Sequence, residues 1–362
     1  MRPVPASPIA LTRRTTGAAA LLALTAACSS EPEARPAPAP SPSPSPTPTP
    51  RPSPTAAATP TPTPTASALP PVRDSLSLPT LMREEFDGGR LRLGRQVLAN
   101  DAYRRWEVTY PAGDLTVSGM LLRPRGRGPF PAVVLNHGYI DPGGYVTGQG
   151  LMREQDALAR AGFVVLHTDY RGHAASDPVS AVGRETRLGY TRDSLHAVGP
   201  LKRLPYVDPD RVAMLGRSMG GGVTLNALVA QPGAVRAAVL YASVSSAFLD
   251  NFRQFSQPGR PDEARAFFAR FGSPQQDPDF YDDLSSRTFF DRVTEPVLIH
   301  HGTADDTCPM AWSRTTQRLL TEAGADATLR VYRGEQHAFI PQWPRSMDRT
   351  IAFLRRRLAA TV

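Results

Sequence analysis

Gly216-Arg217-Ser218-Met219-Gly220 is the segment of this 362-residue chain most clearly suited to chemistry. It follows an apolar run at 211–216 and opens a stretch of helical spacing at 219–231, so the serine falls on a strand–turn–helix bend. Such a tight turn calls for small flanking side chains with backbone freedom. The bend lifts the hydroxyl above the strand ends and sets it beside a helix N-terminus, where negative charge is favoured. A serine hydroxyl is a weak nucleophile until a base takes its proton. The chain has seven histidines. His337, in Gly334-Glu335-Gln336-His337-Ala338-Phe339, lies in a loop after the final strand, on the sheet edge that carries the bend. His167 and His300 fall inside strands and read as structural. The base in turn needs a carboxylate to fix its tautomer and stabilise the imidazolium. His301-Gly302-Thr303-Ala304-Asp305-Asp306 follows another strand and offers two, Asp305 and Asp306. Asn136-His137-Gly138-Tyr139 follows a third strand. There the backbone N–H of Tyr139, paired with that of Met219, would point at a developing oxyanion, and donors of this kind can be worth about 10²–10³ in rate. His137 shapes that turn.

These groups need a scaffold that brings strand ends together. Apolar runs enriched in β-branched residues lie at 104–110, 115–122, 131–136, 163–168, 211–216, 236–241, 296–301 and 328–333. Several are nearly continuous, as strands covered on both faces require. Helical spacing occupies 149–161, 190–204, 219–231, 311–323 and 344–358. Strands alternating with helices predict a mostly parallel eight-stranded sheet flanked by helices. The first two runs leave no room for a helix, so they predict an antiparallel entry. Residues 243–292, rich in Phe, Asp and Arg with one helix near 261–271, interrupt the rhythm and predict a small helical cap insertion. There is no internal repeat.

Composition divides the chain. Of 38 prolines, 16 lie in residues 31–71. Alternating Pro there fixes φ and removes backbone donors, so 29–71 predicts a disordered, polyproline-like spacer. Ahead of it, Arg2, Arg13 and Arg14 precede an apolar stretch from Gly17 to Ala27, the pattern of an export signal. The remaining domain, 72–362, is long enough for a sizeable core. The net charge of +8 is carried almost wholly by arginine, Lys202 being the only lysine. The arginines are scattered and form no patch, which argues against a nucleic-acid partner. Two cysteines exclude a disulfide scaffold and a Cys-rich metal site. No apolar run is long enough to span a membrane. No metal or other cofactor is called for.

Leu24-Thr25-Ala26-Ala27-Cys28 resembles the lipobox of bacterial lipoproteins, with Thr25 where Leu is commoner. The resemblance implies lipidation of Cys28 and a domain tethered outside the cell membrane by that anchor. Residues 80–362 resemble α/β-hydrolases of the dienelactone hydrolase and prolyl oligopeptidase (S9) group. VVLNHGYI, VVLHTDYRGHAASD, YVDPDRVAMLGRSMGGG, PVLIHHGTADDTCP and YRGEQHAF carry the likeness, in the chain order Ser…Asp…His of that fold. It implies an α/β-hydrolase fold with Ser218 as nucleophile, His337 as base and Asp305, the first of its Asp pair, as acid. Arg217 departs from the His or Tyr common at its position, and Cys308 replaces a usual Val. The expected activity is hydrolysis of carboxylic esters or amides through an acyl-enzyme, on a small-molecule ester or short peptide. Too few residues precede the hydrolase segment for a peptide-filtering propeller, which favours esters. A peptidase acting on short peptides or aminoacyl groups is the alternative, and a non-catalytic binding lipoprotein the remote one.

Overall fold

Why the middle of this chain folds into a sheet is visible in one strand, Phe130–Asn136. Val133 and Leu135 enter one apolar cluster while Ala132 and Val134 enter another. Side chains alternate between faces with period two, so a run apolar at every position must be covered on both. Burying each Val or Leu in this way is worth roughly 1.5–3 kcal/mol relative to exposure. In this computed structural model, residues 68–359 are described. The export segment 1–28 with Cys28, and residues 29–67 of the spacer, lie outside them.

The strands are β1 (Arg92–Ala99), β2 (Tyr103–Ala112), β3 (Leu115–Pro124), β4 (Phe130–Asn136), β5 (Val164–Thr168), β6 (Val207–Arg217), β7 (Ala238–Tyr241), β8 (Val297–Gly302) and β9 (Ala327–Tyr332). They form one sheet in the order β1-β2-β3-β5-β4-β6-β7-β8-β9. From β5 to β9 the pairs are parallel. β1, β2 and β3 are antiparallel to one another, and β3 is antiparallel to β5. Helices Met152–Arg160 and Trp343–Arg357 cover one face, through Leu158, Phe353 and Leu354. Helices Leu188–Lys202, Met219–Ala230 and Met310–Glu322 cover the other, through Leu195, Leu225 and Leu320. Every residue of Met219–Ala230 is buried, which accounts for a sequence apolar but for Thr224 and Asn226.

The sheet has nine strands where eight were expected. The additional one, β1, is exposed at nearly every position, so it carries no alternation that a sequence pattern could register. Its pairing with β2 is also irregular, with register shifts on either side of Gln96.

Residues 243–292 fold between β7 and β8 as the helices Phe248–Asn251, Pro261–Phe271 and Pro278–Asp283, with a π-turn at Phe252–Ser256. Their phenylalanines pack on one another, Phe252 at 5.2 Å from Phe267 and Phe271 at 4.8 Å from Phe280 between ring centroids. That self-made apolar cluster explains the composition that set this segment apart.

Candidate active site

Ser218 is held at φ 54° and ψ −120° between β6 and the helix Met219–Ala230. A left-handed, non-glycine conformation of this kind costs of order 1–3 kcal/mol and persists only where its surroundings enforce it. Here the Ser218 N–H donates to the Tyr241 carbonyl at 2.9 Å, and its own carbonyl accepts from Gly221 at 2.9 Å and Val244 at 3.2 Å. The flanking glycines serve close approach, because the positive φ belongs to the serine itself. A Cβ at Gly216 would stand 2.1 Å from the Gly220 carbonyl oxygen, and one at Gly220 would stand 1.9 Å from that of Asn136.

The turn after β4 lies against this bend. A Cβ on Gly138 would be 3.2 Å from the Ser218 Cβ and 3.8 Å from its Oγ. His137 is buried beneath the turn, its ring nitrogens 2.6 Å from the Gly138 carbonyl and 3.2 Å from that of Asp169. Burial, reinforced by neighbouring His173, pushes its pKa down to about 4. The Tyr139 and Met219 N–H groups donate to no loop or turn carbonyl among the described residues. Met219 is the first residue of its helix, where an N–H has no intrahelical acceptor. Both residues line the same cavity as Ser218.

His337 enters from the loop after β9. Its Nδ1 lies 3.0 and 2.9 Å from the two Asp305 carboxylate oxygens. A neutral imidazole in that contact places its proton on Nδ1 and leaves the Nε2 lone pair free. The Asp305 side chain is fully buried. Burial pushes its pKa up, but hydrogen bonds from His301, His337 and the Cys308 amide outweigh that and hold it well below the usual carboxylate range. Asp306 is exposed, its carboxylate taking a bond from the Thr307 hydroxyl at 3.2 Å, so His337 meets Asp305 and not Asp306. Ser218 and His337 share the cavity without a mutual hydrogen bond. Such contacts are often long before substrate arrives. Cys308 is a free thiol whose pKa burial pushes up to about 12, with Asp305 adding to the effect.

Three features of the site carry no signal in the sequence pattern. His301 Nε2 stands 3.2 Å from Asp305 Oδ2, so one carboxylate is gripped by two imidazoles. Arg217 donates to the buried Glu154 at 2.6 Å and to the Ala338 carbonyl at 3.1 Å, tying the serine bend to the residue after His337. Arg153 joins the same carbonyl at 2.9 Å, and Trp343 donates to Glu154 at 2.8 Å. The buried Glu335 carboxylate in turn accepts the Ile340 amide at 3.0 Å and the Gln342 amide at 2.5 Å, fixing the loop's return.

The cavity over Ser218 and His337 has a volume of about 620 Å³. Tyr139 and Ile140 form one wall, Phe255 and Arg260 from the 243–292 insertion another, and Arg184 and Arg187 a third. Among the described residues, no group of three or more His, Cys, Asp or Glu is arranged to hold a metal ion. No described helix is long and apolar enough to cross a membrane. A strained serine, an imidazole with a free Nε2, a carboxylate behind it and two unused amides can together perform acyl transfer.

Comparison with known proteins bears on the same region. The profile of the Prolyl oligopeptidase family matches residues 150–361, more than half of the chain. The uncharacterized peptidase YuxL of Bacillus subtilis is 28% identical over 244 residues, which is 64% of this chain and 35% of that protein. The chain thus spans about a third of that relative's length. Among solved structures, the acylaminoacyl peptidase of Pyrococcus horikoshii superposes with a TM-score of 0.58 at 20% identity, over 72% of this chain and 43% of its own. An acetyl xylan esterase from Paenibacillus sp. R4 gives 0.59 at 19% identity, over 76% of this chain and 92% of its own. At such identities these superpositions speak to the fold.

Proposed function

The chain belongs to the prolyl oligopeptidase family, and from that premise we propose that it is a serine hydrolase cleaving carboxylic ester or amide bonds through an acyl-enzyme. The observation that carries this is the His337–Asp305 contact at 2.9 Å, opening on the same cavity as the strained Ser218. In the proposed reaction Ser218 Oγ attacks the substrate carbonyl while His337 Nε2 takes its proton. Asp305 holds the ring and stabilises the imidazolium. The tetrahedral oxyanion rests on the Tyr139 and Met219 amides. His337 then protonates the leaving group, and water attacks the acyl-enzyme with His337 again as base. A fluorophosphonate probe should label Ser218, and Ser218→Ala should abolish both labelling and p-nitrophenyl acetate hydrolysis. Undiminished turnover in that variant refutes the assignment.

Esters are the first reading of the substrate. Peptide or aminoacyl amides are the second, favoured by the family match. Relative turnover of p-nitrophenyl esters and dipeptidyl p-nitroanilides separates the two. The lipobox-like segment supports a further part of the proposal, an exported protein anchored through Cys28. Cys28→Ala should move the protein from the membrane fraction to the soluble fraction, and unchanged fractionation refutes the anchor.

A further inference from the structure

Four guanidinium groups, on Arg184, Arg187, Arg217 and Arg260, line the cavity over Ser218, against one lining carboxylate, Glu185. Two of the four are spoken for. Arg217 is paired with Glu154 at 2.6 Å, and Arg260 grips Glu185 at 2.7 and 3.2 Å. The Arg187 guanidinium makes no hydrogen bond or ion pair within the usual distance among the described residues, its backbone alone being bonded, and the Nε of Arg184 is buried without a partner. Arg187 is held at φ 61° where the helix Ala181–Thr186 hands over to Leu188–Lys202, an unusual conformation for a side chain of this size. Its guanidinium lies against the first turn of the helix that follows Ser218, 4.0 Å from where a Cβ on Gly222 would stand. Arg187 is half-buried and lines the cavity, and burial pushes its pKa down.

The carboxylate whose charge acts most on Arg187, Glu185, is already bonded to Arg260 at 2.7 and 3.2 Å, and a half-buried cation whose counter-ion is shared is better satisfied when a ligand brings a further negative charge. Arginine suits a carboxylate in particular, because its planar fork offers two parallel donors. We infer that the site takes substrates bearing a carboxylate, which Arg187, aided by Arg184, binds within the cavity over Ser218. The inference rests on Ser218 being the nucleophile, and it narrows the substrate class of that same site. The carboxylate can sit on the acyl part or on the leaving group, and the two are distinguishable by substrate.

The test uses two matched pairs. Mono-4-nitrophenyl adipate against the 4-nitrophenyl ester of adipamic acid places the charge on the acyl side. 4-Acetoxybenzoate against 4-acetoxybenzamide places it on the leaving side. The quantity read is the anionic-to-neutral ratio of kcat/KM within each enzyme, so general loss of activity cancels. In the wild type one pair should show a preference of roughly 10- to 100-fold for the anion, the scale of a charge-assisted contact. Arg187→Gln should collapse that ratio towards one, and Arg187→Lys should retain part of it. If Arg187→Gln does not fold, competition in the wild type takes its place: adipate should inhibit at least tenfold more tightly than adipamide, less so at high salt. Ratios near one in both pairs, with Ser218 still labelled by a fluorophosphonate, overturn this inference alone. Absence of labelling at Ser218 overturns it together with the reading on which it rests.

Discussion

Removing the guanidinium of Arg217 should both destabilise the domain and slow it. Arg217→Met keeps most of the side-chain volume but strips Glu154 of its partner at 2.6 Å, inside a site where Glu154 is 1% exposed and Arg217 15%. At an effective dielectric of about 20, opposite charges about 4 Å apart attract by about 4 kcal/mol. Removing one member of a buried pair typically costs about 3–5 kcal/mol. Arg153 at 3.8 Å and the Trp343 N–H at 2.8 Å still compensate Glu154 in part, so the low end, about 3 kcal/mol, is expected. That corresponds to a melting temperature lower by roughly 5 °C for a domain of this size. The Ala338 carbonyl also loses one of its two arginine donors, so the loop presenting His337 loosens towards the serine. A displacement near 1 Å is worth on the order of 100-fold in rate. The assays are thermal unfolding and kcat/KM on p-nitrophenyl acetate. The double variant Glu154→Gln/Arg217→Met should be more stable than Arg217→Met alone, because no buried charge is stranded. If Arg217→Met keeps its melting temperature within about 2 °C and its kcat/KM within about twofold, the clamp has no such role.

Asp305→Asn should lower kcat by about 10⁴ with little change in the fold, because the amide favours the wrong imidazole tautomer. Retention of near-wild-type kcat rules out Asp305 as the group behind His337. The same substitution tests a pH effect on stability. The Asp305 carboxyl is held below its unfolded value, so its contribution is fully present above about pH 4 and is lost as acid protonates it. Urea midpoints of wild type and variant should therefore differ most at neutral pH and converge as the pH falls below about 4. A gap that widens on acidification contradicts the assigned direction.

Much of this architecture was legible because its chemistry is local. The runs found as β4 to β8 are apolar at almost every position, since both faces are covered, and the helices Met152–Arg160, Met310–Glu322 and Trp343–Arg357 show an apolar stripe at helical spacing. The serine bend was legible from its glycines, although their purpose differs from the one first assigned: they admit the Gly220 and Asn136 carbonyls, while Ser218 takes the positive φ. That His337 would meet a carboxylate of the Asp305–Asp306 pair could be anticipated because both loops follow strand ends on one edge, while the choice of Asp305 was what the family resemblance implied. What stayed hidden depends on partners distant in sequence. Glu154 is an ordinary acidic residue in a helix until Arg217 and Trp343 are brought to it. His301 is a strand residue until its ring proves to reach Asp305. Arg187 matters for the neighbour it lacks, and no pattern of residue types shows that.

β1 closes one border of the sheet, and its composition has a consequence for how molecules of this protein meet. An outermost strand offers a row of unpaired amides and carbonyls on which a second molecule can template itself. This one presents the exposed Arg92, carries Arg95 paired with Glu107 of β2 at 2.6 Å, and shifts register twice against β2. Two such borders brought together would bring Arg92 against Arg92 across mismatched ladders. Charge and irregular register at that margin work against strand-to-strand pairing there.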